Sequence, residues 1–178
     1  PIDCIAGTSM GSIIGLLYAF GYTPRQLEEH FYDFFRRKHL VTTLLRDFRP
    51  TRSGLVQGKA VVRALSQLVP PATRFEDLRL PFAVPAADVR TGQEVIFRSG
   101  PVLPAIRASI SMPGIFTPVR WGDTYLVDGA VLAPIPIHLL ADLGADIEIP
   151  MRAVREWPSS ERQVHADMPD PLAARGRE

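Results

Sequence analysis

Between a short apolar run at residues 2–6 and an almost wholly apolar run at residues 10–20 stands Gly7-Thr8-Ser9-Met10-Gly11. The first run fits a buried strand. The second, closed by Gly21 at a natural C′ position, fits a helix buried on nearly all sides. The pentapeptide must then turn a strand into a helix within a few residues. Its Gly-x-Ser-x-Gly pattern is that of the nucleophile elbow, in which a serine is held on a sharp strand-to-helix turn. The demand is steric: helix and strand come close only where the serine's neighbours carry little or no side chain, here Gly7 and Gly11. Such a turn points the Ser9 hydroxyl outward beside the helix N-terminus. There the Met10 backbone N–H and the helix dipole can stabilise a developing oxyanion. A chance match is expected in roughly one chain in twenty of this length. The strand before the motif and the helix after it therefore carry the argument.

The rest of the chain alternates in the same way. Thr23, Pro24 and Gln26 supply a capping residue, a proline at N1 and a capping-box partner. The helix they open carries Leu27, Phe31, Phe34 and Phe35 on one stripe. It ends in Arg36, Arg37, Lys38 and His39, a basic patch that suits either anionic lipid heads or the dipole of the helix itself. Residues 42–56 read as an irregular excursion and residues 58–69 as a helix that stops before Pro70 and Pro71. Two strands, 82–89 and 93–97, meet at Thr91-Gly92, with Pro85 best placed at a sheet edge. Pro104 opens a short helix to about residue 111, which Pro113-Gly114 breaks. Residues 119–121 and 125–127 form a hairpin around Gly122-Asp123. A last helix spans 136–143, and 145–149 begins a further strand. This alternation predicts an α/β sandwich with a largely parallel sheet.

At 178 residues the chain has room for one domain with a sizeable core. The pattern places that core in residues 1–149. Residues 150–178 dissolve into charge and proline and read as a disordered or loosely attached tail. A net charge of +1 gives no support for a nucleic-acid partner. The single cysteine, Cys4, rules out an intrachain disulfide and a cysteine metal cluster, and its apolar neighbours suggest a small buried thiol. The apolar stretch 13–20 is too short for a membrane span, which needs roughly 20 residues. No signal peptide is visible, and a start at Pro1, almost at once in a strand pattern, reads as a fragment.

A serine needs a base to take its proton. His30 and His39 lie on or at the end of an amphipathic helix, and His165 lies in the polar tail. His138 is the only plausible triad member, since Ser9, Asp128 and His138 fall in Ser-Asp-His order outside the tail, although it lies inside a helical pattern. Asp128, in Leu126-Val127-Asp128-Gly129-Ala130, closes a strand at a glycine turn. From that place a side chain can project into a site or cap its own backbone. Spacing alone leaves both readings open.

Gly7-Thr8-Ser9-Met10-Gly11 followed by Asp128-Gly129-Ala130 resembles the patatin-like phospholipase family, bacterial branch. Ala87-Asp88, Thr91-Gly92, Ser99-Gly100, Ala105-Ile106-Arg107-Ala108-Ser109 and Pro113-Gly114-Ile115-Phe116 match it too. The resemblance implies a three-layer α/β/α sandwich with a mostly parallel central sheet, truncated at both ends. It also implies a Ser–Asp dyad: Ser9 as nucleophile, Asp128 as base, Met10 N–H as an oxyanion donor, and Gly7, Gly11, Gly129 and Ala130 as motif positions. The expected activity is hydrolysis of lipid acyl esters, phospholipid or lysophospholipid, through an acyl-enzyme. No metal or organic cofactor is implied, and the expected location is cytoplasmic with peripheral membrane contact. The family's glycine-rich oxyanion loop lies upstream of the elbow, so the chain reads as starting after it. Two alternatives remain at this stage, a catalytically inactive lipid-binding or regulatory module of the same fold, and a triad esterase using His138.

Overall fold

A computed structural model describes residues 1–36, 47–51 and 54–151. In chain order the elements are β1 (Ile5–Ala6), α1 (Met10–Phe20), α2 (Pro24–Arg36), β2 (Phe48–Thr51), β3 (Gly54–Val56) and α3 (Lys59–Leu65). There follow β4 (Phe82–Asp88), β5 (Glu94–Phe97), α4 (Val102–Ser109), β6 (Val119–Trp121), β7 (Thr124–Asp128) and α5 (His138–Asp142). Single 3-10 turns occupy Phe75–Asp77 and Gly129–Val131.

Strand β4 is buried along its whole length and organises the main sheet. It pairs in parallel with β1, Ile5 opposite Phe82 and Ala6 opposite Ala83. It pairs antiparallel with β5 and with β7, where Ala86 faces Asp128, and β7 pairs antiparallel with β6. The α/β class is as expected from the sequence. The sheet is mixed, however, rather than mostly parallel, because tight turns at Gly92 and Gly122 join β4 to β5 and β6 to β7. Connections this short, residues 89–93 and 122–123, permit only antiparallel strands.

Backbone hydrogen bonds show which edge of β4 each partner takes. Gly7 N–H donates to Ala83 C=O and Val89 N–H to Tyr125 C=O, both at 3.0 Å, while Asp88 N–H donates to Gln93 C=O at 2.9 Å. Successive residues of a strand present their polar groups to alternate edges. Ala83, Pro85 and Val89 therefore face one edge, which β1 and β7 share. The two strands run towards each other along it, and their ends meet beside Pro85. Pro85 was expected at a sheet edge, yet it lies fully buried in the central strand. Its missing N–H is tolerated because it faces the gap between two strand ends, where no ladder bond is due.

The core forms where α1 and α4 pack on this sheet and α2 lies against α1, bringing together Leu16, Leu17, Leu27, Phe82, Val84, Ile106 and Leu126. Gly15 lets α1 approach, since a β-carbon there would lie 2.7 Å from the Phe82 ring. The capping box at Thr23 and Gln26 is present, with Thr23 N–H donating to Gln26 Oε1 at 2.9 Å. Gly21 closes α1 as expected, its N–H reaching the Leu17 and Tyr18 carbonyls.

Several expectations are corrected. Met10 and Ile14 of α1 are exposed, so that helix is buried on one side only. Cys4 is half-buried. Residues 42–56 include a hairpin, β2 with β3. Residues 145–149 form no strand, and Ile147 and Ile149 are exposed with no strand beside them among the described residues. Arg37, Lys38, His39, His165 and residues 152–178 lie outside the described residues.

Candidate active site

The meeting of β1 and β7 brings Ser9 and Asp128 together across 119 residues of sequence. The Ser9 hydroxyl donates to Asp128 Oδ2 at 2.6 Å. The other carboxylate oxygen, Oδ1, accepts the Ala130 N–H at 2.8 Å. Asp128 thus both caps its own turn and projects into a site, the two readings left open by its spacing. It is 1% exposed. Burial raises its pKa above the ordinary value, against the Ser9 and Ala130 hydrogen bonds, which lower it.

Ser9 is the N-cap of α1 and the only non-glycine residue at positive φ among the described residues, at φ 53° and ψ −120°. Such backbone is sterically costly and persists only where its surroundings fix it. Gly7 is what permits the turn: a β-carbon there would lie 2.3 Å from Gly11 C=O. Gly129 has the same role under Asp128, where a β-carbon would lie 2.5 Å from Pro85 C=O. Gly11 differs. A β-carbon there would meet nothing within 4 Å, so the packing does not require that glycine.

The Met10 N–H stands at the free N-terminus of α1 with no acceptor among the described residues, while Gly11 N–H is taken by Thr8 C=O at 2.8 Å. One backbone donor is therefore free next to the Ser9 hydroxyl. Exposed apolar side chains lie on the segments that carry or bond the Ser9–Asp128 pair: Met10 and Ile14 after Ser9, Val131 and Leu132 after Asp128, and Met112 and Ile115 after Ser111, whose carbonyl accepts the Asp128 N–H. Ala130, the last motif position, is exposed.

The described histidines are engaged elsewhere. His138 Nε2 lies 2.8 Å from Glu94 Oε2, and His30 makes an edge contact with Tyr22 at 5.4 Å. Among the described residues no histidine bonds to Ser9 or Asp128, and no cluster of three or more His, Cys, Asp or Glu side chains can hold a metal ion.

Sequence reasoning missed the groups that hold the elbow. The Ser109 hydroxyl accepts Ser9 N–H at 3.1 Å, Ser12 Oγ donates to Ser9 C=O at 2.6 Å, and Thr8 Oγ1 donates to Ala133 C=O at 2.8 Å. Ser12 carried a local signal, since a serine three residues into a helix can reach back to the cap. Ser109 lies in the Ala105–Ser109 stretch that matched the family, but nothing local points to its bond with Ser9, 100 residues away.

The family model for patatin-like phospholipases matches residues 1–141. The chain belongs to that family. It is 33% identical over 147 residues to an uncharacterised NTE family protein of Mycobacterium bovis, covering 82% of this chain and 39% of the relative. It is 27% identical over 145 residues to Lysophospholipase NTE1 of Meyerozyma guilliermondii, covering 82% of this chain and 10% of that protein. A patatin-like phospholipase domain-containing protein of Caenorhabditis elegans is 28% identical over 147 residues, covering 82% and 11% respectively. The chain thus spans about two fifths or less of the length of these curated relatives.

Proposed function

We propose that this chain is the hydrolytic part of a lipid acyl-ester hydrolase, acting on phospholipid or lysophospholipid through Ser9 and Asp128. The observation that carries the reading is the 2.6 Å hydrogen bond from the Ser9 hydroxyl to the buried Asp128 carboxylate. A carboxylate is a weak base at its ordinary pKa of about 3.9, and burial strengthens it. In the first half-reaction Asp128 takes the Ser9 proton as Oγ attacks the ester carbonyl. The tetrahedral oxyanion forms beside the Met10 N–H. Collapse breaks the ester C–O bond, and the departing alcohol takes the proton from Asp128. In the second half-reaction Asp128 takes a proton from water as the water oxygen attacks the acyl carbonyl. Ser9 Oγ then leaves, recovers that proton, and the fatty acid is released.

The lipid part of the reading is supported by family membership and by the exposed apolar side chains on the segments that carry or bond the dyad. Among the described residues no helix is long and apolar enough to cross a membrane. We infer peripheral contact with the lipid surface, made by those apolar side chains. Flotation with anionic liposomes at low salt tests this, and a chain that stays at the bottom of the gradient removes it.

The deciding experiment is labelling with a fluorophosphonate serine probe, followed by fatty-acid release from lysophosphatidylcholine. Labelling that disappears in Ser9→Ala is the expected result. A folded chain that takes no label has no activated serine, and the rival reading of a lipid-binding module without turnover then stands.

A further inference from the structure

The C-terminal turn of α4 touches both halves of the site. Fully buried Ser109 accepts the Ser9 N–H on its hydroxyl oxygen at 3.1 Å. Two residues on, Ser111 accepts the Asp128 N–H on its carbonyl oxygen at 3.0 Å. The turn is held from behind by Arg107. Its guanidinium donates to Gln57 C=O at 2.6 Å, Thr117 C=O at 2.8 Å and Ser111 Oγ at 2.5 Å. The Ser111 hydroxyl in turn donates to Arg107 C=O at 2.8 Å. One helical turn is thus tied to the nucleophile's strand end, to the carboxylate's strand end, and to the chain around Gln57 and Thr117.

Three side-chain hydrogen bonds restrain the elbow, from Thr8, Ser12 and Ser109. The Ser12 bond is internal to the elbow, and the Thr8 bond ties the residue before Ser9 to Ala133, on the segment after Asp128. Ser109 alone of the three reaches the Ser9 peptide itself from another element, and the turn that follows it also holds Asp128. Strained backbone needs outside restraint of this kind.

We propose that Ser109 is a positioning residue, whose hydroxyl fixes the Ser9 peptide and, with the Ser111 carbonyl, sets the spacing of the Ser9 hydroxyl from Asp128. The proposal rests on the reading of Ser9 as nucleophile and Asp128 as base. Without the Ser109 hydroxyl the Ser9 N–H has no acceptor, the peptide relaxes towards favoured backbone, and Oγ leaves the carboxylate. Substrate contacts are untouched.

Two measurements on this chain and its Ser109→Ala variant test the proposal. Amide hydrogen exchange by NMR needs no turnover: the Ser9 amide should exchange about tenfold faster in the variant relative to the Gly11 and Ser12 amides. Unchanged exchange overturns the proposal. With p-nitrophenyl butyrate, kcat should fall about ten- to a hundredfold with KM unchanged, the signature of misplaced reacting atoms. Equal kcat in a folded variant, or a loss confined to KM, also overturns it. If Ser109→Ala does not fold, Ser109→Cys keeps the volume and only a weak acceptor. Its kcat should fall several-fold, and a full rate overturns the proposal. If the unaltered chain neither turns over the ester nor takes a fluorophosphonate label, the reading of the site fails, while the exchange experiment still decides whether Ser109 holds Ser9.

Discussion

Ser9 Oγ and Asp128 Oδ2 are 2.6 Å apart, and the second oxygen of that carboxylate is pinned by the Ala130 N–H. The carboxylate therefore has one oxygen fixed to the backbone and one free to receive a proton. Its orientation is set by its own turn, which leaves Oδ2 aimed at Ser9. Such preorganisation avoids reorientation at the moment of reaction.

Replacing Asp128 by Asn should separate activity from stability. The amide keeps the shape and cannot take a proton, so the rate of fluorophosphonate labelling should fall by about a hundredfold or more. Stability should move the other way. The folded-state pKa of Asp128 is raised, so between the unfolded and folded pKa values the native state holds the extra proton. Stability from this group is full below the unfolded value and is lost as pH rises through the folded one. Asp128→Asn should therefore raise Tm at pH 8, with a gain that shrinks towards pH 4. Thermal melts across that range check it.

The activity of the unaltered chain should follow the same ionisation. Labelling should fall on acidification as Asp128 takes up its proton, with an apparent pKa above the ordinary carboxylate value. A limb at or below pH 4 in the labelling-rate profile contradicts the burial argument.

The two glycines of the elbow should respond oppositely to alanine. Gly7→Ala drives a β-carbon against backbone with no side chain able to yield, a loss of about 3 kcal/mol or more. Gly11→Ala adds a methyl group to open space on a helix, a gain of about 0.5–1 kcal/mol. Urea unfolding of the pair measures both.

Strain at Ser9 can be isolated by comparing two inactive variants. Ser9→Ala and Ser9→Gly both lose the hydroxyl, yet only glycine adopts φ 53° without penalty. Ser9→Gly should be the more stable by about 1 kcal/mol or more in the same unfolding assay.

Removing His138 should leave labelling intact, because its partner is Glu94 and not the dyad. The pair is partly exposed, so the stability change should stay within about 1 kcal/mol. Loss of labelling in a folded His138→Ala chain would restore the triad.

What could be read from the sequence was local. The elbow, the capping box at Thr23 and the hairpins at Gly92 and Gly122 are written in adjacent residues and fold as written. Which edge of β4 each strand takes is a long-range matter, and so the β4–β7 pairing and the place of Pro85 were not legible. Asp128 was found as a motif; its contact with Ser9 depends on two strands converging. Ser109 had no local signature, since a buried serine in a helix looks alike whether it bonds its own turn or a distant amide. The strand expected at 145–149 followed its apolar spacing, but spacing names no partner.

Strands β1 and β7 never pair with each other; they are aligned only because both are laid along one edge of β4. Ser9 and Asp128 are therefore brought into register by a shared template rather than by pairing of their own strands. A slip of β7 by a single residue along that template would turn Asp128 to the opposite face of the sheet and leave Ser9 facing none. During synthesis Ser9 emerges long before Asp128. Its hydroxyl has no carboxylate partner until β4 has formed and β7 has docked on it, so in the proposed function the site is assembled by completion of the sheet.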